Sequence, residues 1–305
     1  MNQPEPENTI VNYPVTDVPI LPQFAYPDVK SVSRLFFATL GYMFVGGLLG
    51  VILLEALNYW GFKSPLVKSF VNLVAYIIGF LLTIWYAVKK SKKQQVSAFH
   101  ISFNKVQSWL VPVIIICSIA LNIGLERVSE IIPMPLSIEK FFEEMFMKDV
   151  FSIIAIVIAA PILEEILCRG LILRGLLKNY SPRKAILISA LFFGLMHMNP
   201  WQAFPAFFGG LFIGWVYYKT QSVIPGMIIH ATNNAASSLF LFLPKNKQDF
   251  SSLFGEPYYI ILCVLSGLIF IGGCMIIHKK VSVVSDKVEV VLDSDEFPNS
   301  EPSIG

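Results

Sequence analysis

The chain has 305 residues, of which 55% are hydrophobic and only 14% are charged, with a formal net charge of +2. This composition excludes an ordinary soluble globular protein, in which about 25% of the residues are charged. It predicts a polytopic membrane protein. The four cysteines stand singly in apolar runs without a C-x-x-C spacing, so neither a disulfide framework nor a cysteine metal site is expected.

Polar tails flank the apolar part of the chain. Residues 1–30 hold six prolines and lack the basic and apolar regions of a signal peptide, so they predict a flexible N-terminal tail. Residues 281–305 are acidic and polar and predict a flexible C-terminal tail. Eight apolar runs between them predict an all-α polytopic bundle of about eight transmembrane helices. The runs are Leu35–Leu57, Leu66–Val88, Trp109–Leu125, Val150–Leu177, Ala185–Met198, Trp201–Tyr218, Val223–Leu243 and Tyr258–Ile277.

The positions of lysine and arginine predict the orientation of this bundle. Sixteen of the 23 basic residues fall on the side that holds both chain termini, and seven fall on the other side. Because cytoplasmic loops carry the excess of positive charge, both termini are predicted to be cytoplasmic. The fourth helix would then carry its polar residues near its cytoplasmic end, so the sequence predicts a site that faces the cytoplasm.

An amphipathic helix is predicted between the third and fourth membrane helices, after Pro133-Met-Pro135. Ile138, Phe141, Phe142, Met145 and Phe146 recur at helical spacing and would form its apolar face. Such a helix lies in the membrane interface. Two interpretations are open, an interfacial connector and a gate for a substrate.

The fourth apolar run contains two adjacent carboxylates, Glu164 and Glu165, followed by Arg169. A helix long enough to span the membrane would place these groups in the hydrocarbon zone, where each ionised side chain costs about 2.5–3.5 kcal/mol. Glu165 and Arg169 are four residues apart and can neutralise each other as an ion pair. Glu164 points about 100° away from Glu165 and is not served by that pair. Both a structural ion pair and a functional site remain open at this point.

Two histidines interrupt later apolar helices. His197 stands near a helix end marked by Asn199-Pro200, and His230 shares one helical face with Asn234, four residues on. A single histidine in a helix is more often a packing residue than a catalyst. Polar groups on three helices of one bundle, however, must find one another or water. The sequence therefore predicts a shared wet cavity that contains Glu164, His197, His230 and Asn234.

Such a cavity can carry out hydrolysis in two ways. Glu164 can act as general base toward a water held by His197, while His230 and Asn234 donate to a developing oxyanion. Alternatively, Glu164, His197 and His230 are candidate ligands of a divalent metal ion such as zinc, which would activate the water. Ligand type alone leaves the cofactor unknown. The chain lacks the motifs H-E-x-x-H, G-x-G-D and G-x-S-x-G, which excludes three other designs of intramembrane protease.

The same residues resemble the three motifs of the CPBP family, which comprises type II CAAX prenyl endopeptidases and bacteriocin-processing and immunity (Abi) proteins. The family pattern is Glu-Glu-x-x-x-Arg, Phe-x-x-x-His and His-x-x-x-Asn/Asp. This chain has Glu164-Glu165-Ile-Leu-Cys-Arg169, Phe193-Gly-Leu-Met-His197 and His230-Ala-Thr-Asn-Asn234. The resemblance covers roughly residues 151–242. It implies an eight-helix membrane bundle with a conical cavity that faces the cytoplasm.

The resemblance also implies roles for single residues. Glu164 activates water with His197 beside it, His230 and Asn234 form the oxyanion-side pair, and Glu165 and Arg169 hold Glu164 in place. The family is described both as metalloproteases and as metal-free enzymes. The predicted division of the chain is then complete: membrane helices and the interfacial helix in 31–149, the protease core in 150–243, and a final membrane helix in 244–280.

The function expected from these observations is an intramembrane endopeptidase in the cell membrane. Its partners would be the lipid bilayer and a membrane-associated peptide or protein of CAAX or bacteriocin type, with no nucleic acid. One alternative is a non-proteolytic scaffold or immunity protein of the same fold. The other is a small transporter whose Glu and His side chains relay protons.

Overall fold

The structure is a computed structural model that describes residues 25–94, 101–129, 134–138, 148–240, 242–244 and 249–283. These ranges are overwhelmingly helical and contain no β-strand, which confirms the predicted all-α class. The helices are α1 (Val29–Tyr59), α2 (Pro65–Gln94), α3 (Leu110–Ser129), α4 (Val150–Asn179), α5 (Pro182–Leu195), α6 (Pro200–Thr220), α7 (Ile224–Phe240), α8 (Phe250–Phe254) and α9 (Glu256–Lys280).

Five of the helices in the described ranges are long and apolar enough to cross a membrane, namely α1, α2, α3, α4 and α9. The chain is therefore a multi-pass membrane protein. The other predicted spans correspond to α5, α6 and α7. Helix α5 has only 14 residues, about 21 Å, and α7 has 17 residues of which several are polar. Eight spans and the orientation of the termini stay predictions.

Helix α4 is continuous but not uniform. It contains two π-helical stretches, Ala155–Ala159 and Ile166–Leu173, separated by a short α-helical part that carries Glu164 and Glu165. Its N-terminus is capped by the carboxylate of Asp149, which accepts from the amides of Phe151 and Ser152 at 2.9 and 3.2 Å. Because π-helical turns inside α-helices occur frequently at functional sites, this irregularity makes the middle of α4 a candidate functional region.

Small residues allow α1 and α2 to approach closely. A Cβ atom at Gly46 would lie 2.5 Å from the carbonyl oxygen of Ala75, and one at Gly79 would lie 2.8 Å from the sulfur of Met43. Membrane helices pack in this way because lipid supplies no hydrophobic force between them, and close backbone contact replaces it.

The segment before α1 is attached to the end of α4. Asn179 accepts from the amide of Ala25 at 2.9 Å and donates back to its carbonyl at 2.6 Å, and the side chain of Tyr26 is buried. Residues 25–28 therefore pack against α4, although they belong to the stretch predicted as a flexible tail, because the complementary amide groups of Asn179 fix the backbone. The predicted amphipathic helix and the C-terminal tail lie almost entirely outside the described residues.

Hydrogen bonds and one backbone bridge show which helix ends lie together. Ala25 contacts the end of α4, Ser222 pairs with Phe103 before α3, and Lys219 at the end of α6 donates to the carbonyl of Val281 after α9. We call the end of the bundle at which these three contacts lie the basic end. It holds the starts of α1, α3, α5 and α7 and the ends of α2, α4, α6 and α9. The opposite end is defined by contacts of Ser69 with Asp149 and of Arg127 with Glu256.

Candidate active site

The centre of the bundle contains a buried chain of charged and polar groups. Oε1 of Glu165 accepts from Nη1 of Arg169 at 2.8 Å and from Nδ1 of His230 at 3.2 Å, and both Glu165 and Arg169 are fully buried. Arg169 also donates from Nη2 to the carbonyl of Gly210 at 3.1 Å. Glu165 therefore neutralises Arg169 and orients the imidazole of His230.

Glu164 has a different partner. The phenol of Tyr76, on α2, donates to Oε1 of Glu164 at 2.6 Å. The other carboxylate oxygen, Oε2, is buried and has no hydrogen-bond partner among the described residues. Glu165 and Arg169 were expected to hold Glu164, but their bonds go to His230 and Gly210. The physical reason is that consecutive helical residues point about 100° apart, so the two carboxylates face different neighbours.

The ring of Phe193 contacts both the arginine of the ion pair and the two histidines. The guanidinium of Arg169 stands 4.7 Å from the ring centroid, which is cation–π geometry. His197 and His230 each contact the same ring edge-to-face, with centroids 5.3 Å apart. Phe193 therefore fixes the position of both histidines relative to the ion pair.

The backbone around His197 determines which of its nitrogens carries a proton. Nδ1 lies 2.9 Å from the carbonyl oxygen of Phe193, and because a carbonyl can only accept, Nδ1 must donate. In neutral His197 the other nitrogen, Nε2, is then an acceptor. This is the nitrogen that could hold a water molecule.

Asn234 fills a gap in the hydrogen bonding of α4. The amide of Ala160 donates to the carbonyl of Ala155, and Pro161 has no N–H, so the carbonyl of Ile156 has no donor from its own helix. Nδ2 of Asn234 donates to that carbonyl at 2.8 Å. One N–H of the Asn234 amide is thus used structurally, and the second N–H is not required for this contact.

The adjacent Asn233 faces another helix. Its Oδ1 accepts from the hydroxyl of Ser118, on α3, at 2.6 Å. The two neighbouring asparagines therefore connect α7 to different helices, and Asn234 is the one that bonds to the helix of the Glu pair.

A cavity of about 390 Å³ lies beside these residues. It is lined by Asn122, Leu125, Ile156, Phe193, His197, Trp201, Gln202, Pro205, Ala206, Gly209, Ile213, His230, Asn233, Asn234, Ser237 and Ser238. The structure therefore brings His197, His230 and Asn234 together at one cavity, whereas the predicted cavity also contained Glu164. Glu164 is buried beside Tyr76 and is not among the lining residues.

The predicted metal ligands do not form a metal site. Among the described residues, no three His, Cys, Asp or Glu side chains are grouped so that they could hold a metal ion. Oε1 of Glu164 is engaged by Tyr76, and Nδ1 of His230 is engaged by Glu165. The arrangement of Glu164, His197 and His230 therefore does not fit the candidate ligand set.

Two residues of this site were not singled out from the sequence. Tyr76 stands in an apolar helix without any motif, and its partner Glu164 is 88 residues away. Phe193 belongs to the second motif, but its contact with Arg169 depends on how α4 and α5 pack. The only feature of the sequence that pointed to a partner such as Tyr76 was Glu164 itself, because a carboxylate at membrane depth requires a hydrogen-bond donor.

Comparison with known proteins identifies the family of this region. Residues 146–236 match the family model described as type II CAAX prenyl endopeptidase Rce1-like. The match confirms the resemblance inferred from the three motifs, all of which lie inside it. No curated protein and no solved structure matches the chain.

Proposed function

Because residues 146–236 belong to the type II CAAX prenyl endopeptidase Rce1-like family, we propose that the chain is an intramembrane endopeptidase with Glu164 as its general base. The single observation that carries the proposal is the convergence of all three motifs around Phe193, at the inner part of one cavity. The proposed substrate is a membrane-associated peptide or protein, of CAAX or bacteriocin type.

In the proposed reaction, Glu164 takes a proton from a water molecule while the water oxygen attacks the carbonyl carbon of the scissile peptide bond. The unpartnered Oε2 supports this role, since Tyr76 occupies only Oε1. Nε2 of His197 accepts from the same water. The proton held by Glu164 then passes to the leaving nitrogen, the C–N bond breaks, and a carboxylic acid and an amine are released.

The tetrahedral intermediate carries negative charge on the former carbonyl oxygen. The second N–H of Asn234 is proposed to donate to this oxygen, together with Nε2 of His230 when that imidazole is doubly protonated. The hydrogen bond that Nδ1 of His230 donates to Glu165 supports this role, because it fixes the orientation of the ring. Losing one donor of this kind typically costs about 2.7–4 kcal/mol of activation free energy.

The buried position of Glu164 sets one requirement. The scissile bond must pass His197 and His230 and reach the carboxylate, which does not itself line the cavity. A segment that is extended and uncharged meets this requirement best, because helical peptides hide their backbone carbonyls in hydrogen bonds.

The experiment is proteomics of peptide termini in membrane fractions of cells that carry the native chain, Glu164→Ala or His197→Ala. Termini that disappear in both variants would support the proposal and name the substrates. Glu55→Ala, which removes an exposed carboxylate on α1, serves as the matched control. Unchanged termini in the two site variants, with a phenotype on deletion of the whole chain, would instead support a scaffold of the same fold.

A further inference from the structure

We propose that the cavity opens on the extracytoplasmic face of the membrane, so that an exported peptide of bacteriocin type or an extracytoplasmic segment of a membrane protein is favoured as substrate over a protein of CAAX type. The assignment of substrates rests on the proposed function. The direction of the opening rests only on the structure and on the charges of the chain, and it departs from the cytoplasm-facing site expected from the sequence.

The cavity lies in the half of the bundle next to the opposite end. Leu125 is four residues before the end of α3 at Ser129, and Ile156 is six residues after the start of α4 at Val150. Trp201 is the second residue of α6, and Ser238 is two residues before the end of α7 at Phe240. All four of these helix ends belong to the opposite end of the bundle.

Exposure changes along the cavity in the same direction. Its inner residues, Phe193, Ile213 and His230, have 3%, 1% and 6% of their surface exposed. Toward the opposite end, Trp201 and Gln202 are half-buried and Ser237 is exposed. The cavity therefore begins beside the histidines and opens away from the basic end.

The basic end of the site is closed by packed chain. The amide of Val223 donates to the carbonyl of Ser102 at 3.1 Å, which joins the segments before α3 and α7. These segments cover α4 at Gly170, where a Cβ atom would lie 3.1 Å from Ile101 and 3.6 Å from Val223. Below this cover, the α4 residues from Leu167 to Leu173 are all buried.

Charge assigns the basic end to the cytoplasm. Of the 19 lysines and arginines in the described ranges, fifteen belong to the basic half of the bundle, and fourteen remain when the buried Arg169 is left out. The four others, Lys63, Lys68, Arg127 and Lys148, lie toward the opposite end. Positively charged segments are retained on the cytoplasmic side during insertion, so the cavity must face away from the cytoplasm.

The cytoplasm-facing expectation rested on the family resemblance and on the depth of Glu164. That expectation placed the Glu pair near the basic end of the fourth helix. In the structure Glu164 lies 14 residues after Val150 and 15 residues before Asn179, in the middle of α4. Its depth therefore favours neither face of the membrane, and the direction in which the cavity opens determines the face from which the site is reached.

The chemistry of the cavity wall indicates what can enter. The described lining residues are apolar, aromatic, amide, hydroxyl or imidazole side chains, and none of them is Lys, Arg, Asp or Glu. His230, Asn233, Asn234, Ser237 and Ser238 form a polar row along one face of α7, from the site to the mouth. Such a row can pair with the backbone groups of an extended, uncharged peptide that descends from the extracytoplasmic side.

Cysteine accessibility tests the direction without requiring any activity. In a full-length chain whose four cysteines are replaced by alanine, single cysteines are introduced as Gln202→Cys and Ser237→Cys at the cavity and Lys90→Cys at the basic end. Ala190→Cys, at a fully buried position, is the negative control. Right-side-out and inside-out membrane vesicles are then treated with a charged, membrane-impermeant maleimide.

The expected result is labelling of the two cavity cysteines only in right-side-out vesicles and of the basic-end cysteine only in inside-out vesicles. Labelling of the cavity cysteines from the cytoplasmic side, or from neither side, would overturn the proposal. So would labelling of cavity and basic-end cysteines from the same side.

A second measurement covers the case in which the cysteine-free chain fails to fold. A green fluorescent protein fused after Gly305 of the native chain, which fluoresces in the cytoplasm but not after export through the general secretory pathway, should be fluorescent. A dark but full-length fusion would overturn the orientation. Failure of the proposed function is recognised separately, because unchanged peptide termini in Glu164→Ala cells leave the labelling pattern unaffected.

Discussion

The phenol of Tyr76 on α2 and the carboxylate of Glu164 on α4 are joined by a hydrogen bond of 2.6 Å. Tyr76 lies outside the region that matches the family, residues 146–236, whereas Glu164 is the proposed base within it. The early membrane helices therefore contribute directly to the site. A hydrogen bond to one carboxylate oxygen also fixes the direction in which the other oxygen points.

Tyr76→Phe should lower the rate of cleavage while leaving the fold intact. A hydrogen bond to a charged group contributes about 1.5–3 kcal/mol, so its loss should reduce turnover by roughly 10- to 100-fold, with little change in KM. The rate of appearance of the Glu164-dependent peptide termini measures this effect. Tyr86→Phe removes a hydroxyl from the same helix away from Glu164 and should have no effect. Equal rates in the two variants would contradict the role of Tyr76.

The two adjacent glutamates should respond differently to neutralisation. Glu165→Gln leaves the buried guanidinium of Arg169 without a counter-charge, which typically costs about 3–5 kcal/mol of stability. Glu164→Gln keeps an oxygen that can accept from Tyr76, so it should abolish cleavage with little loss of stability. Thermal unfolding in detergent, together with cleavage per folded molecule, separates the effects. A larger loss of activity per folded molecule in Glu165→Gln would mean that the roles of the two carboxylates are exchanged.

Asn234→Ala should destabilise α4 as well as slow the reaction. It leaves the part-buried carbonyl of Ile156 without this donor, and an unpaired polar group kept from water costs about 1–3 kcal/mol. Adding Pro161→Ala supplies the missing backbone N–H and should recover part of that stability, but not the activity. For the loss of stability, Asn233→Ala is the matched control, because the hydroxyl of Ser118 can then donate to the carbonyl of Ile229, 3.0 Å away. If Pro161→Ala raises the stability of the Asn234→Ala chain by no more than it raises that of the native chain, this account of the irregular helix is refuted.

Gly46 and Gly47 form a natural pair for testing the packing of α1 on α2. Gly46→Ala places a Cβ atom 2.5 Å from the carbonyl oxygen of Ala75, so the helices must separate and the unfolding temperature should fall. Gly47→Ala meets nothing within 4 Å and should be neutral or slightly stabilising, since alanine favours a helix by about 1 kcal/mol over glycine. If both variants unfold at the same temperature, the close approach of these helices is not required.

Asp149 should make stability depend on pH under acidic conditions. Burial by itself raises the pKa of Asp149, but hydrogen bonds from Ser69, Ser152 and the amide of Phe151 together hold it below its usual value of 3.8. The ionised carboxylate therefore stabilises the folded state at neutral pH, and this contribution is lost as the pH falls through the lowered pKa. The difference in unfolding temperature between the native chain and Asp149→Asn should shrink below about pH 4. A difference that is constant with pH would exclude this linkage.

Much of the helical framework could be predicted because apolar runs of membrane length have few other solutions. The run Val150–Leu177 corresponds to α4, Val150–Asn179, and the four-residue spacing of Glu165 and Arg169 correctly predicted their ion pair. The partner of Glu164 could not be predicted, since a tyrosine within an apolar helix has no distinguishing pattern. The contact of Asn234 was not predictable either, because its partner is the backbone carbonyl of Ile156. The only sign in the sequence that this carbonyl lacks a donor within its helix is the proline five residues later.

The attachment of Asn179 to Ala25, together with the bonds Tyr76–Glu164 and Ser118–Asn233, has a practical consequence. In each of these contacts one partner lies within residues 146–236 and the other precedes them in the chain. A fragment trimmed to the family-matched region would retain every motif residue and yet lose the neighbours that position them. The region of sequence similarity is therefore shorter than the smallest fragment of this protein that would keep these contacts.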